Sequence, residues 1–184
     1  SMARPRPPKR LEEHSIDPEG EFAVNPREHV FMLAAQITHH RDKKLEARMA
    51  PLGLSLQHWR CLLVVNRIAD CSMSDLSRFG MADRTTLTRS VDQLVAKGLV
   101  ERHVSPRDRR LVLLRLTKAG DRLYGEAVRV MLALNAEIVA CARPVEQRDL
   151  ARALESLLAG LIPDSEDLEA IATFGRPGFL NPLK

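Results

Sequence analysis

The sequence predicts a mainly α-helical fold carrying one small β-hairpin. Three observations predict it. Apolar residues recur at helical spacing on both sides of the centre: Val30, Leu33, Ala34, Ile37, Leu45 and Met49 before it, then Leu123, Val130, Met131, Leu134, Ile138 and Cys141 after it. Between them, two short Leu/Val-rich runs, 99–103 and 110–116, flank the turn-forming Ser105-Pro106-Arg107-Asp108. The charge is also concentrated there. Arg84, Arg89, Lys97, Arg102, Arg107, Arg109, Arg110, Arg115 and Lys118 stand against only Asp92, Glu101 and Asp108, although the 184-residue chain as a whole is +4. A helix, a tight basic hairpin and another helix make a winged helix-turn-helix core, here with long N- and C-terminal dimerisation helices.

Composition sets the bounds. Hydrophobic residues make up 45% of the chain, enough for a core, and aromatics only 4%, which argues against base stacking on aromatic platforms. Three cysteines, Cys61, Cys71 and Cys141, are odd in number and far apart, so a disulfide framework is not expected and a reducing cytoplasm fits. No apolar run reaches the length of a membrane span, and the start lacks the apolar core of a secretory signal.

Residues 1–24 read as a flexible basic arm, with Pro5, Pro7, Pro8 and Pro18 among Arg4, Arg6, Lys9 and Arg10. Such an arm either adds phosphate contacts or is a solvated tail. Asn25-Pro26 reads as N-cap and first residue of a helix running to about Ala50, where Pro51-Leu52-Gly53 breaks it. His39-His40 lies on this helix, without the further ligands a metal site needs. A second helix is expected over 55–69, around Trp59, Leu62, Leu63 and Ile68. A short positioning helix is expected over 72–79, capped by Ser74, with Leu76 and Phe79 toward the core. Ser72, Ser74 and Arg78 are placed on it to touch phosphates.

Gly80-Met81-Ala82 turns the chain into the next helix, capped by Asp83. Its apolar stripe is Leu87, Val91, Leu94 and Val95, and its polar face carries Arg84, Thr85, Thr86, Thr88, Arg89 and Gln93. Hydroxyls and guanidinium groups near a helix start suit base edges and phosphates. Lys97-Gly98 ends the helix. After the hairpin, Thr117 begins a long helix to about Ala142, stopped by Pro144, and 145–161 forms the last, leucine-rich helix. These stripes are too wide to be solvated and form the expected dimer surface. Residues 163–184 are an extension with a short helical candidate at 165–173. The DNA-binding part is expected at about 55–117, within a domain over 25–162.

The central residues resemble the MarR family of bacterial transcription regulators. The resemblance is carried by Arg84-Thr85-Thr86-Leu87-Thr88-Arg89, Leu94, Gly98-Leu99-Val100, Asp108-Arg109-Arg110 and Leu116-Thr117, with Gly120 after. It covers about residues 25–162. It implies a homodimer with two reader helices about 34–36 Å apart on a near-palindromic double-stranded operator. Arg110 would enter the minor groove, Asp108 would accept a hydrogen bond from Arg110 and aim it, and Arg107 and Arg109 would meet phosphates; the other reading of the pair is a turn-capping Asp108 beside an exposed Arg110. The resemblance also implies repression relieved by a small, aromatic or phenolic effector. Gln57-His58-Trp59-Arg60 looks like the helix start that lies beside such a pocket, making His39, His40, Trp59 and Arg60 candidate lining residues. Trp59 is equally readable as core and Arg60 as an interface cap.

Two rivals remain in the same fold: a thiol switch at Cys61, and an interaction module without DNA binding. The family's thiol sensors carry their cysteine early in the first helix, where this chain has none. No phosphate-binding, dinucleotide-binding, nucleophile-elbow or zinc-protease motif occurs, so neither an enzyme nor a cofactor is expected.

Overall fold

The computed structural model describes residues 26–162. The cap at Asn25, the basic arm and the 163–184 extension therefore lie outside the described residues. The described residues divide into two units, 26–40 and 41–162. The first contains the opening turns of helix α1 (Pro26–Met49), where Val30, Phe31, Met32, Leu33 and Ile37 are all exposed.

The second unit holds the rest. A 3-10 turn (Ala50–Leu52) ends α1 at Gly53, whose φ of 70° is left-handed. Helix α2 (Leu56–Arg67) follows, then strand β1 (Cys71–Ser72), helix α3 (Met73–Phe79), helix α4 (Arg84–Ala96) and strands β2 (Val100–Val104) and β3 (Val112–Leu116). Helices α5 (Lys118–Val139) and α6 (Pro144–Leu161) complete it. Pro144 thus opens α6 as its first residue, while α5 has already ended at Val139.

Sequence periodicity predicts a two-stranded hairpin; the sheet has three antiparallel strands in the order β1-β3-β2. Cys71 pairs with Leu114 and Ser72 with Leu113, beside the hairpin register that runs from Val100–Leu116 to Val104–Val112. Two residues are too few to show a period. The strand exists because β3 would otherwise present an unpaired edge to the core. The cap of α3 also differs from expectation. Ser72, not Ser74, accepts from the Asp75 amide at 3.2 Å, and the Asp75 carboxylate accepts from the Ser72 amide at 2.8 Å. This reciprocal box satisfies two end donors at once, which Ser74 has no acidic partner to do.

The core joins Leu45 and Met49 of α1, Leu62 and Val64 of α2, Leu76 of α3, Leu87, Val91 and Leu94 of α4, and Val128 and Leu134 of α5. Helix α4 is thereby buried on one side only. Its end is a complete reversal. The Gly98 amide donates to Val95 at 2.9 Å and the Leu99 amide to Leu94 at 2.9 Å, with Gly98 at φ 67°. Leu99 and Leu94 are both buried beneath this reversal.

Thr117 then ties the far side of the wing to the same point. Its hydroxyl donates to the Gly98 carbonyl at 2.6 Å and its amide to Leu99 at 3.1 Å, while its side chain caps α5 at the Gly120 amide, 3.0 Å away. A Cβ on Gly120 would collide with the Leu99 carbonyl. Gly120→Ala should therefore lower stability by about 1–3 kcal/mol, because backbone rather than a flexible side chain has to move. Gly98→Ala, in open space but at positive φ, should cost about 1 kcal/mol. Urea unfolding of the two variants checks both the direction and the order.

Candidate nucleic-acid interface

The polar face of α4 is exposed from Arg84 through Thr86 and again at Thr88 and Arg89. Asp83 sets its start: its carboxylate accepts from the Thr86 amide at 2.9 Å and from the Thr86 hydroxyl at 2.7 Å. Those bonds hold the Asp83 carboxyl below its ordinary range. The Thr88 hydroxyl donates to the Arg84 carbonyl at 2.8 Å. Thr86 and Thr88 thus spend their donors within the helix and keep oxygen lone pairs for an outside donor. Thr85 is exposed. Ser72 is committed to the α3 cap, Ser74 is exposed beside it, and the Arg78 guanidinium lies 5.3 Å from the centroid of the Phe79 ring.

The wing tip is built on Ser105, a buried side chain that accepts from the Arg107 and Asp108 amides at 3.3 and 3.4 Å. Asp108 takes the turn-capping arrangement. Its carboxylate accepts from the Arg110 backbone amide at 2.9 Å, and the Leu111 amide returns to its carbonyl at 3.0 Å. A side chain two residues before an amide closes an Asx turn more readily than it reaches the far end of an arginine. Arg107, Arg109 and Arg110 stand exposed around this hydrogen-bonded tip.

The other cations are disposed differently. Arg102 of β2 pairs with Asp92 of α4 at 2.6 Å, and Lys97 donates to the Gly53 carbonyl at 2.7 Å. Arg115 of β3 pairs with Asp70, which His103 also approaches at 3.6 Å. Asp70 sits at a left-handed φ of 55°, and the Arg115 guanidinium pulls its carboxyl below the usual aspartate range. Arg84, Arg89, Arg107, Arg109 and Arg110 make no ion pair among the described residues.

Behind the reader helix, α2 carries connections that periodicity does not reveal. His58 is 7% exposed; its Nδ1 accepts from the Ser55 amide at 3.3 Å, so its Nε2 carries the hydrogen donated to Gln93 of α4 at 2.7 Å. Gln57 donates to the Gly80 carbonyl at 3.2 Å. Arg60 reaches Asp42 at 2.7 Å, and Arg41 bridges Asp42 at 2.9 Å to Asn135 of α5 at 3.1 Å. Trp59 is 3% exposed, stacked on Tyr124 with ring centroids 5.8 Å apart. His39 and His40, in the first unit, are exposed and meet edge to face. Among the described residues no group of His, Cys, Asp or Glu is gathered as for a metal ion.

Residues 52–111 match the profile of the MarR family. The chain carries a MarR-family domain. Over 88 residues it is 32% identical to the multiple antibiotic resistance protein MarR of Escherichia coli, spanning 48% of this chain and 61% of that protein. The crystal structure of a MarR-family transcriptional regulator from Silicibacter pomeroyi shares 25% identity, with a TM-score of 0.65 over 77% of this chain and 96% of that one. A Mycobacterium tuberculosis MarR-family protein, solved in complex with p-aminosalicylic acid, shares 25% identity, with a TM-score of 0.59 over 68% and 95%. The MarR-type winged-helix fold expected from the sequence is thus the fold found, with the third strand added. No helix among the described residues is long and apolar enough to cross a membrane.

Two outcomes follow for this domain. Burial pushes the Cys61 thiol up to about 11 and the Cys71 thiol up to about 12, whereas Cys141 is exposed. Since the thiolate is the nucleophile, iodoacetamide at neutral pH should label one cysteine of three in the native chain and all three after denaturation. Rapid native labelling of Cys61 would restore the thiol-switch reading. The Asp70 carboxyl is lowered on folding, so its contribution is present above the ordinary aspartate range and lost as pH falls through its folded value. The stability difference between wild type and Asp70→Asn should shrink between about pH 5 and about pH 3; asparagine is chosen because it tolerates the left-handed backbone.

Proposed function

We propose that the chain is a homodimeric transcription regulator that binds a near-palindromic double-stranded DNA site and is released from it by a small aromatic acid. The observation that carries this reading is the sorting of the cations. Those on the body of the wing are held by Asp92 and Asp70, while the five arginines at the start of α4 and around the tip are exposed and lack an ion-pair partner among the described residues. Charge left over in this pattern, on a helix start and a hydrogen-bonded loop, matches a groove flanked by phosphates. Arg84, Thr85, Thr86, Thr88 and Arg89 would meet the major groove, Arg110 the minor groove, and Arg107, Arg109, Ser74 and Arg78 the backbone.

Dimer formation is supported by apolar faces that α1 and α6 leave exposed. On α6 these are Val145, Leu150, Leu154, Leu157 and Leu161; on α1, Val30, Phe31, Met32, Leu33 and Ile37. Solvating two such faces is costly, and a second copy removes them from water. The effector class is supported by the aromatic acid bound to the Mycobacterium tuberculosis relative. In this chain Arg60 already holds a carboxylate, that of Asp42, which a ligand carboxylate would replace. Release requires only that the ligand bind the two reader-helix spacings unequally.

Mobility-shift titration against duplexes enriched from a random library tests the reading. Arg110→Ala should weaken binding about 10- to 100-fold without loss of folded structure. Arg84→Ala and Arg89→Ala should weaken it too, each lowering the salt slope by about 1 for every phosphate left without its cation. Unchanged affinity of Arg110→Ala, or failure to enrich any duplex at low salt, would refute it.

A further inference from the structure

We infer that Met81 is a specificity-determining residue that reads a thymine methyl group at the edge of each half-site. The inference rests on the reading of α4 as the DNA-contacting helix and adds an apolar element to an otherwise polar reader. Met81 is the most exposed large hydrophobic residue among those described, at 81%, and lies two residues before the Asp83 cap of α4. It is also one of only two described non-glycine residues at positive φ, 52°. A residue with a Cβ is disfavoured there. The other, Asp70, is held by Arg115 and His103. Met81 has no comparable partner among the described residues.

The surrounding turn over-determines this conformation. The Gly80 amide donates to the Leu76 carbonyl at 2.7 Å, and the Gly80 carbonyl accepts from Gln57. A Cβ at position 80 would stand 2.7 Å from Leu87 Cδ2, so the backbone is pressed against the core at that point. Ala82 packs on the core on the other side, and Asp83 is locked into the cap of α4. With residues 80 and 82 held inward, the left-handed residue between them is exposed, as are Arg84 and Thr85 at the helix start that follows. The left-handed residue itself ends α3 and turns the chain toward α4. What the turn does not require is a long apolar side chain, since glycine would make it with less strain. An exposed methionine there points to an outside contact.

The chemistry of that contact follows from the side chain. An unbranched thioether offers no hydrogen-bond donor and adapts to an apolar surface. In the major groove, which a helix start enters, the apolar feature that a base pair presents is the thymine methyl.

The full-length chain is used to enrich duplexes from a random library, and each thymine of the enriched site is replaced in turn by uracil, which removes only the methyl. Wild type should lose about 4-fold at one position of a half-site and about 15-fold when both half-sites are changed. Met81→Ala should bind the thymine and uracil duplexes equally, near the affinity of wild type for uracil. Thr85→Ser, which also removes a methyl from the reading face, should keep the discrimination at that position. Met81→Gly should be at least as thermally stable as Met81→Ala, because glycine accepts the left-handed backbone. A wild type indifferent to every replacement, or a Met81→Ala variant retaining the same thymine preference, overturns the inference while leaving DNA binding intact. Failure to enrich any duplex overturns it together with the reading on which it rests.

Discussion

The close approach of α5 to the end of the reader helix is the constraint on which the domain depends. Gly120 lies so near the Leu99 carbonyl that no side chain fits, and Thr117 bonds both Gly98 and Leu99. Four element ends therefore meet within a few residues: the last turn of α4, the first residue of β2, the last of β3 and the first turn of α5. Reader helix and wing cannot change their angle to α5 independently, since each is hydrogen-bonded to it through the same backbone groups. A long helix fixed to α4 and the wing at one end is a lever. Any movement at its other end is delivered to α4 and the wing together.

A second level of organisation is electrostatic. Acidic residues are few around the reader helix and wing, and the aspartates among them have structural uses. Asp92 holds Arg102, Asp70 holds Arg115, Asp83 caps α4, and Asp108 closes the wing turn. Exposed pairs of this kind contribute little stability. What they accomplish is subtraction. They neutralise cations on the sides of the wing and leave positive charge at its tip and at the start of α4. The basic excess of the sequence is thereby focused onto two places.

Much of this was legible in the sequence because its causes are local. Asp83, Thr117 and Gly98 are cap residues whose side chains, or lack of one, act within three or four positions, and all three act as periodicity and capping rules predict. Ser72 was harder because two serines compete, and the acidic residue three positions on decides between them. Strand β1 has no local signature; it is recruited by an edge on β3, about forty residues away. A similar separation hides Gln93 from His58, and a shorter one hides Asp42 from Arg60. Trp59 was open to two readings because a tryptophan beside an arginine suits a pocket and a core equally, and only its stack on Tyr124 places the indole in the core. For Asp108 the resemblance pointed to the guanidinium of Arg110, whereas the carboxylate takes the nearer backbone amide.

Helix α2 gives these separate features a common physical basis. Within four residues it bonds the turn before α4 through Gln57, the body of α4 through His58 and the α1–α5 polar cluster through Arg60. Each bond is made from a different side of one rigid turn of helix, so rotating or shifting that turn alters all three. A carboxylate competing with Asp42 for Arg60 would act on the same backbone that positions Gly80 and Gln93. It would not need to touch the exposed arginines of α4 to change their placement. This explains why polar side chains occur on an otherwise core-facing helix. His58 is retained in a buried site because both ring nitrogens are used at once, one for the helix cap and one for the reader helix. An apolar replacement would fill the space and lose the connection.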